Sequence, residues 1–133
     1  MGQLTGKRIL VTGASSGMGR VFCRMIANEG ATVILVARNE ERLQKTLASM
    51  EGTGHSYLVC DLTDEEQLKL LVGKLPPLDG VVFCVGINEF VPVKFIKQEK
   101  IDNIFQTNYF STLQLTQLLQ KKKLINKKAS LVY

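Results

Sequence analysis

The chain has 133 residues, 45% of them hydrophobic and 22% charged, with 17 Lys plus Arg against 12 Asp plus Glu. That length holds one domain with a core that needs no disulfide or metal staple, and the apolar fraction excludes an intrinsically disordered chain. No apolar run approaches the roughly 20 residues that span a bilayer, so a membrane protein is not expected. The net charge of +5 would suit a nucleic-acid partner, but Lys121, Lys122, Lys123, Lys127 and Lys128 account for all of it. Without them, 12 basic residues face 12 acidic ones. The lysine run reads as a solvated cap at the negative end of a helix dipole, with an anion-attracting patch as the alternative, and no nucleic acid is expected as a partner.

In chain order, residues 7–12 (KRILVT) predict a first strand, followed by a glycine-bearing loop and an amphipathic helix from about Gly17 to Glu29. Gly30 ends that helix, as glycine commonly does just past a last turn. Residues 32–37 (TVILVA) form a continuous β-rich run, which suits a strand buried on both faces. Asn39 can cap the next helix, with Glu40 and Glu41 at its positive end, and Gly52 and Gly54 break it. A third strand is expected at 56–60 (SYLVC). Thr63 and Glu66 then form a capping box for a helix running to about Val72. Pro76 and Pro77 separate it from a fourth strand at 80–85 (GVVFCV). A long helix follows from about Glu99 to Leu119, with Ile101, Ile104, Phe105, Leu115, Leu118 and Leu119 on its apolar side. Residues 129–133 (ASLVY) open a fifth strand. Strict alternation of strand and helix means an α/β fold, a parallel sheet covered on both faces with right-handed crossovers.

The strongest chemical signal is Thr12-Gly13-Ala14-Ser15-Ser16-Gly17-Met18-Gly19, directly after the first strand and opening the first helix. Glycines there let the backbone turn tightly and approach a diphosphate, whose charge sits on amide groups at the helix N-terminus. This G-x-x-x-G-x-G spacing resembles the cofactor loop of the short-chain dehydrogenase/reductase family. At the end of the second strand, where such folds choose their cofactor, an acidic residue would bond the ribose 2′-hydroxyl of NAD. The chain has Ala37 and then Arg38, whose guanidinium instead matches a 2′-phosphate, so NADP (NADPH) is expected in preference to NAD. The competing reading has Arg38 pairing with a carboxylate early in the next helix, Glu41 in particular.

Other segments carry the same resemblance. Cys60-Asp61-Leu62 is similar to the family's adenine-contacting Asp and its apolar neighbour. Phe83-Cys84-Val85-Gly86 stands where the family has Asn-Asn-Ala-Gly, so only the glycine is kept. Gly86 still permits close backbone approach to a cofactor, while any bonding by the two missing amides is lost. The segment from Ile101 to Asn108 (IDNIFQTN) resembles the one bearing the family's catalytic Asn, which implies that Asn108 holds a proton-relay water through the helix main chain. The alternative is an Asn tolerated on a partly buried helix face.

The resemblance thus implies a Rossmann-type doubly wound parallel sheet, truncated at the fifth strand. It implies cofactor binding by Gly13, Ser15, Ser16, Gly17, Met18, Gly19, Arg38, Asn39, Asp61, Leu62, Cys84, Val85 and Gly86. The implied reaction is hydride transfer between the nicotinamide and a small carbonyl or alcohol substrate. The family's acid/base pair is Tyr-x-x-x-Lys, in which an ammonium depresses the Tyr hydroxyl toward neutrality. Here Tyr57 is followed four residues later by Asp61, Tyr109 by Leu113, and Tyr133 is last; Ser130 lies too early for the substrate-orienting Ser. Residues 1–133 therefore read as the N-terminal, NADP-binding part of a larger single domain, from an enzyme that assembles as a homo-oligomer, with this portion inactive by itself. The competing reading is a non-catalytic nucleotide-binding or interaction module.

Cys23, Cys60 and Cys84 form no C-x-x-C pair and sit in apolar surroundings, and the lone His55 has no partner at metal-ligand spacing, so no metal site is expected. Unpaired cysteines and an N-terminus without a secretory layout fit a cytoplasmic protein.

Overall fold

The structure, a computed structural model, describes residues 2–133. Five strands, β1 (Arg8–Thr12), β2 (Thr32–Ala37), β3 (Ser56–Val59), β4 (Leu78–Phe83) and β5 (Ile125–Val132), form one parallel sheet in the order β3-β2-β1-β4-β5. The chain winds outward from β1 through β2 to β3, then crosses back to β4 on the other side. Connections leaving β1 and β4 therefore diverge, and the crevice between them lies beyond the C-terminal ends of the strands.

Alternation along the central strands sorts the core into two layers. Ile9, Val11, Val33 and Leu35 face α1 (Gly17–Asn28) and α2 (Glu40–Ala48), where Cys23, Ile26 and Leu43 meet them. Leu10, Ile34, Val36 and Val81 face the opposite layer, built from α3 (Glu65–Lys74) and from Leu115 and Leu119 of the last helix. Gly30, at φ +90°, ends α1 as expected, and Asn39 caps α2, its Oδ1 accepting from Arg42 N at 2.9 Å.

Besides β4, which runs Leu78–Phe83 instead of 80–85 because Leu78 already pairs with Ile125, three expectations need correction. The cap of α3 is Asp64, not Thr63: Asp64 Oδ1 accepts from Glu66 N and Gln67 N at 3.0 and 3.1 Å, while Thr63 is engaged with Asp61. The long helix is α4 (Gln98–Phe105) and α5 (Ser111–Lys121), joined by a π-turn over Gln106–Phe110. An extra residue in a π-turn shifts the register of the faces. Leu115 and Leu119 accordingly reach the core, while Phe105 stays exposed and Ile101 turns with Ile104 toward Val91 and Ile96 of the preceding loop. Finally, β5 starts at Ile125, and the register slips between Leu78↔Ile125 and Gly80↔Ser130. The polar residues of that bulge hid the start of the strand, and Lys128 adopts φ +65° within it.

Candidate functional site

At the end of β1 the chain enters the glycine loop. Gly13 adopts φ +66°, and a Cβ there would stand 2.6 Å from the Cys84 carbonyl oxygen and 2.9 Å from Val85 N. A Cβ on Gly19 would collide with the Gly13 carbonyl, so α1 starts hard against the loop. The N-cap, Ser16, makes no side-chain capping bond. Among the described residues, no protein acceptor meets the N–H groups of Ser15, Ser16, Gly17 and Met18. Unpaired amides at a helix N-terminus carry the positive end of the dipole and suit an anion.

A cleft of about 660 Å³ opens over these amides. Of the residues singled out in the sequence, Gly13, Ser15, Ser16, Gly17, Met18, Arg38, Asn39, Asp61, Leu62, Cys84, Val85 and Gly86 line it. Gly19 and Asn108 do not: Gly19 packs behind the loop, and Asn108 stands behind Ile87. Arg42, Thr63, Ile87 and Thr107 also line the cleft and were not expected there: Thr63 read as a helix cap, and Arg42 was marked only by lying one helical turn beyond Arg38.

Arg38 does not pair with Glu41, whose Oε1 lies 2.8 Å from Lys45 Nζ. Among the described residues, neither Arg38 nor Arg42 has a carboxylate within ion-pair distance, so two guanidiniums border the cleft at the end of β2. Across from them, Asp61 Oδ1 accepts from Thr63 N and Thr63 Oγ1 at 2.9 and 2.7 Å. Burial works to raise the Asp61 pKa, but the two Thr63 bonds and the Arg38 charge outweigh it and hold the carboxyl below its ordinary value.

Asn108 sits in the π-turn. Its Oδ1 accepts from Ile87 N and its Nδ2 donates to Ile87 O, both at 2.7 Å, so one amide satisfies both backbone groups of the loop after β4. Cys60 and Cys84 belong to cleft-lining segments, but their side chains pack into the two core layers and are poor nucleophiles: burial, with the neighbouring Asp61 and Asp64 charges, pushes Cys60 up to about 11, and burial raises Cys84 too. Among the described residues no Tyr lines the cleft. Among the described residues no cluster of His, Cys, Asp or Glu could hold a metal ion, and no helix is long and apolar enough to cross a membrane.

A glycine loop at a helix N-terminus, set at the switch point of a 3-2-1-4-5 parallel sheet, defines a Rossmann-type dinucleotide-binding fold. Residues 7–132 match the short chain dehydrogenase family, and the chain belongs to it. It is 32% identical to the 3-oxoacyl-acyl-carrier-protein reductase FabG of Rickettsia felis over 124 residues, 93% of this chain and 51% of that protein. A short chain dehydrogenase from Escherichia coli CFT073 superposes with a TM-score of 0.89 at 33% identity, over 98% of this chain and 61% of the other. Another structure of a short chain dehydrogenase from that organism, complexed with NADPH, gives 0.82 at 33% identity, over 89% and 53%. The chain spans about half the length of the curated relatives it matches.

Proposed function

We propose that this chain is the NADP(H)-binding part of a short-chain oxidoreductase acting on a small carbonyl or alcohol substrate. The observation that carries this reading is one cleft joining two sets of anion-seeking groups: unpaired loop amides at the start of α1, and the unpaired guanidiniums of Arg38 and Arg42. The lining groups would divide the parts of a phosphorylated dinucleotide among them. Ser15, Ser16, Gly17 and Met18 would bind the diphosphate through backbone N–H groups, and Arg38 and Arg42 would bind the 2′-phosphate. Asp61, ionised and acceptor-only, would accept a hydrogen bond from the adenine amino group, with Leu62 under the ring. Gly86 would let the backbone lie close to the nicotinamide ribose, and the nicotinamide, when bound, supplies hydride transfer. Asn108 fixes the loop after β4 through Ile87, and its main chain in the π-turn is the group that would hold a relay water. The NADPH complex of a relative at 33% identity supports this choice of cofactor for the chain.

Titration with NADPH and NADH, followed by cofactor fluorescence, tests the reading. A charge-assisted hydrogen bond contributes about 1.5–3 kcal/mol, so NADPH should bind at least about tenfold more tightly than NADH. Equal affinities would sink the NADP assignment, and absence of binding by either would sink the cleft as a cofactor site.

A second reading, cofactor binding without turnover by these residues alone, rests on the acid/base group. Neither Tyr57 nor Tyr109 is followed by a Lys four residues on, and Tyr133 stacks on Phe83 with ring centroids 4.8 Å apart, outside the cleft-lining set. NADPH absorbance should therefore stay constant when the chain is mixed with carbonyl substrates, and consumption of NADPH would overturn this second reading.

A further inference from the structure

Arg20 lies in the first turns of α1, yet its side chain bends back over the loop. Its Nε donates to Thr46 Oγ1 at 3.1 Å, and its Nη2 donates to the Ser15 carbonyl at 2.8 Å. Thr46, fully buried in α2, has the Ala14 carbonyl 3.0 Å from its own hydroxyl, with the Arg42 carbonyl at 3.2 Å as a second acceptor. Among the described residues Arg20 has no acidic partner. Its forked donors serve one carbonyl of the cofactor loop directly, and the neighbouring carbonyl through Thr46.

In a trans peptide the carbonyl of one residue and the N–H of the next point in opposite directions. Holding the Ala14 and Ser15 carbonyls toward Thr46 and Arg20 therefore turns the N–H groups of Ser15 and Ser16 the other way. These are two of the unpaired amides of the cleft-lining loop. Rotation of either peptide plane would swing a carbonyl oxygen toward the diphosphate and replace attraction by repulsion.

We infer that Arg20 and Thr46 form a latch that presets two peptide planes of the cofactor loop, making Arg20 a positioning residue for the diphosphate that does not touch it. This rests on the cofactor reading above. A simpler role for Arg20 would be long-range attraction of the anion by its charge, and the two roles separate experimentally.

The test uses the full chain and two ligands, NADPH and adenosine 2′-phosphate, which carries the 2′-phosphate but no diphosphate. Arg20→Met should weaken NADPH binding by about 10- to 100-fold, the scale of losing charge-assisted hydrogen bonds that orient the site. Affinity for adenosine 2′-phosphate should stay within about twofold, since its groups meet Arg38 and Asp61. Arg20→Lys keeps the charge but lacks the planar fork that serves two acceptors, so it should remain as weak as Arg20→Met. Thr46→Val, which alters no charge, should reproduce the loss. Recovery in Arg20→Lys would overturn the latch in favour of charge. Equal losses for both ligands would overturn it in favour of general destabilisation. Normal binding of NADPH by all three variants would overturn the latch and leave the cofactor reading standing, whereas failure of the unmodified chain to bind either ligand would remove the cofactor reading itself.

Discussion

The proposed choice of NADP over NAD rests chiefly on one side chain, Arg38. It follows the last residue of β2 directly, borders the cleft, and has no carboxylate partner among the described residues, because Glu41 is taken by Lys45 at 2.8 Å. A free guanidinium is well suited to a phosphate monoester, and Arg42 one turn later adds a second. Arg38→Asp should weaken NADPH binding by about 1.5–3 kcal/mol or more, and NADH binding much less, since an acidic residue there suits an unphosphorylated ribose. Competition titrations of the variant with both cofactors check this, and equal losses would remove Arg38 from the 2′-phosphate site. That Arg38, Asp61, Gly13, Gly17 and Gly86 share one cleft was legible in the sequence because each lies close after a strand end. Arg20 and Thr46 were not, since an Arg on an amphipathic helix reads as solvated surface and a lone Thr carries no spacing signal. Their bonds go to backbone carbonyls, which no residue pattern marks.

The π-turn between α4 and α5 is the element that ties the helix layer to the end of β4. Asn is a poor residue for a helix interior, but here its amide makes two 2.7 Å bonds to Ile87, one as acceptor and one as donor. Asn108→Leu would leave the Ile87 N–H and carbonyl without their partner in a segment that borders the cleft. The expected cost is about 1–3 kcal/mol, partly offset by water because the site is exposed. It should appear as faster amide exchange at Ile87 and nearby loop residues, with β1 and β2 unchanged; uniform acceleration across the sheet would show a different role. Asn108→Asp should behave similarly at neutral pH, because a carboxylate cannot donate to the Ile87 carbonyl. The sequence showed a long helix here but not its break, since a π-turn changes which side chains share a face without changing composition. Central strands β1 and β2 were plain because burial on both faces leaves unbroken apolar runs. The boundaries of β4 and β5 slipped because Leu78 pairs ahead of the VVF run and a polar bulge splits β5. The cap of α3 moved from Thr63 to Asp64 because Asp61 captured the Thr63 hydroxyl.

At the scale of the whole molecule, the cleft joins segments far apart in sequence: the loops after β1, β2, β3 and β4, and the π-turn through Thr107. None of these lie together in the unfolded chain, so a ligand spanning them stabilises only the folded state. At a free concentration 100 times its Kd, that linkage contributes about 2.7 kcal/mol. With about 2.1 cal/mol/K of unfolding entropy per residue, the midpoint should rise by about 10 °C. The pH dependence of this increment distinguishes the contacts that produce it. The folded-state pKa of Asp61 is lowered, so its contribution is complete above the ordinary value of 3.8 and is lost only as pH falls through the lower folded value. A phosphate monoester instead takes up its second proton at about pH 6, losing charge that Arg38 and Arg42 would otherwise attract. Between pH 7.5 and 5, the increment from NADP⁺ should therefore shrink, while that from NAD⁺, each measured at the same multiple of its pH 7.5 Kd, should stay level. Parallel behaviour of the two cofactors in thermal scans would mean that the guanidinium pair does not hold the 2′-phosphate. A level NAD⁺ increment down to about pH 5 would place its binding on the loop amides and on an Asp61 that remains ionised throughout.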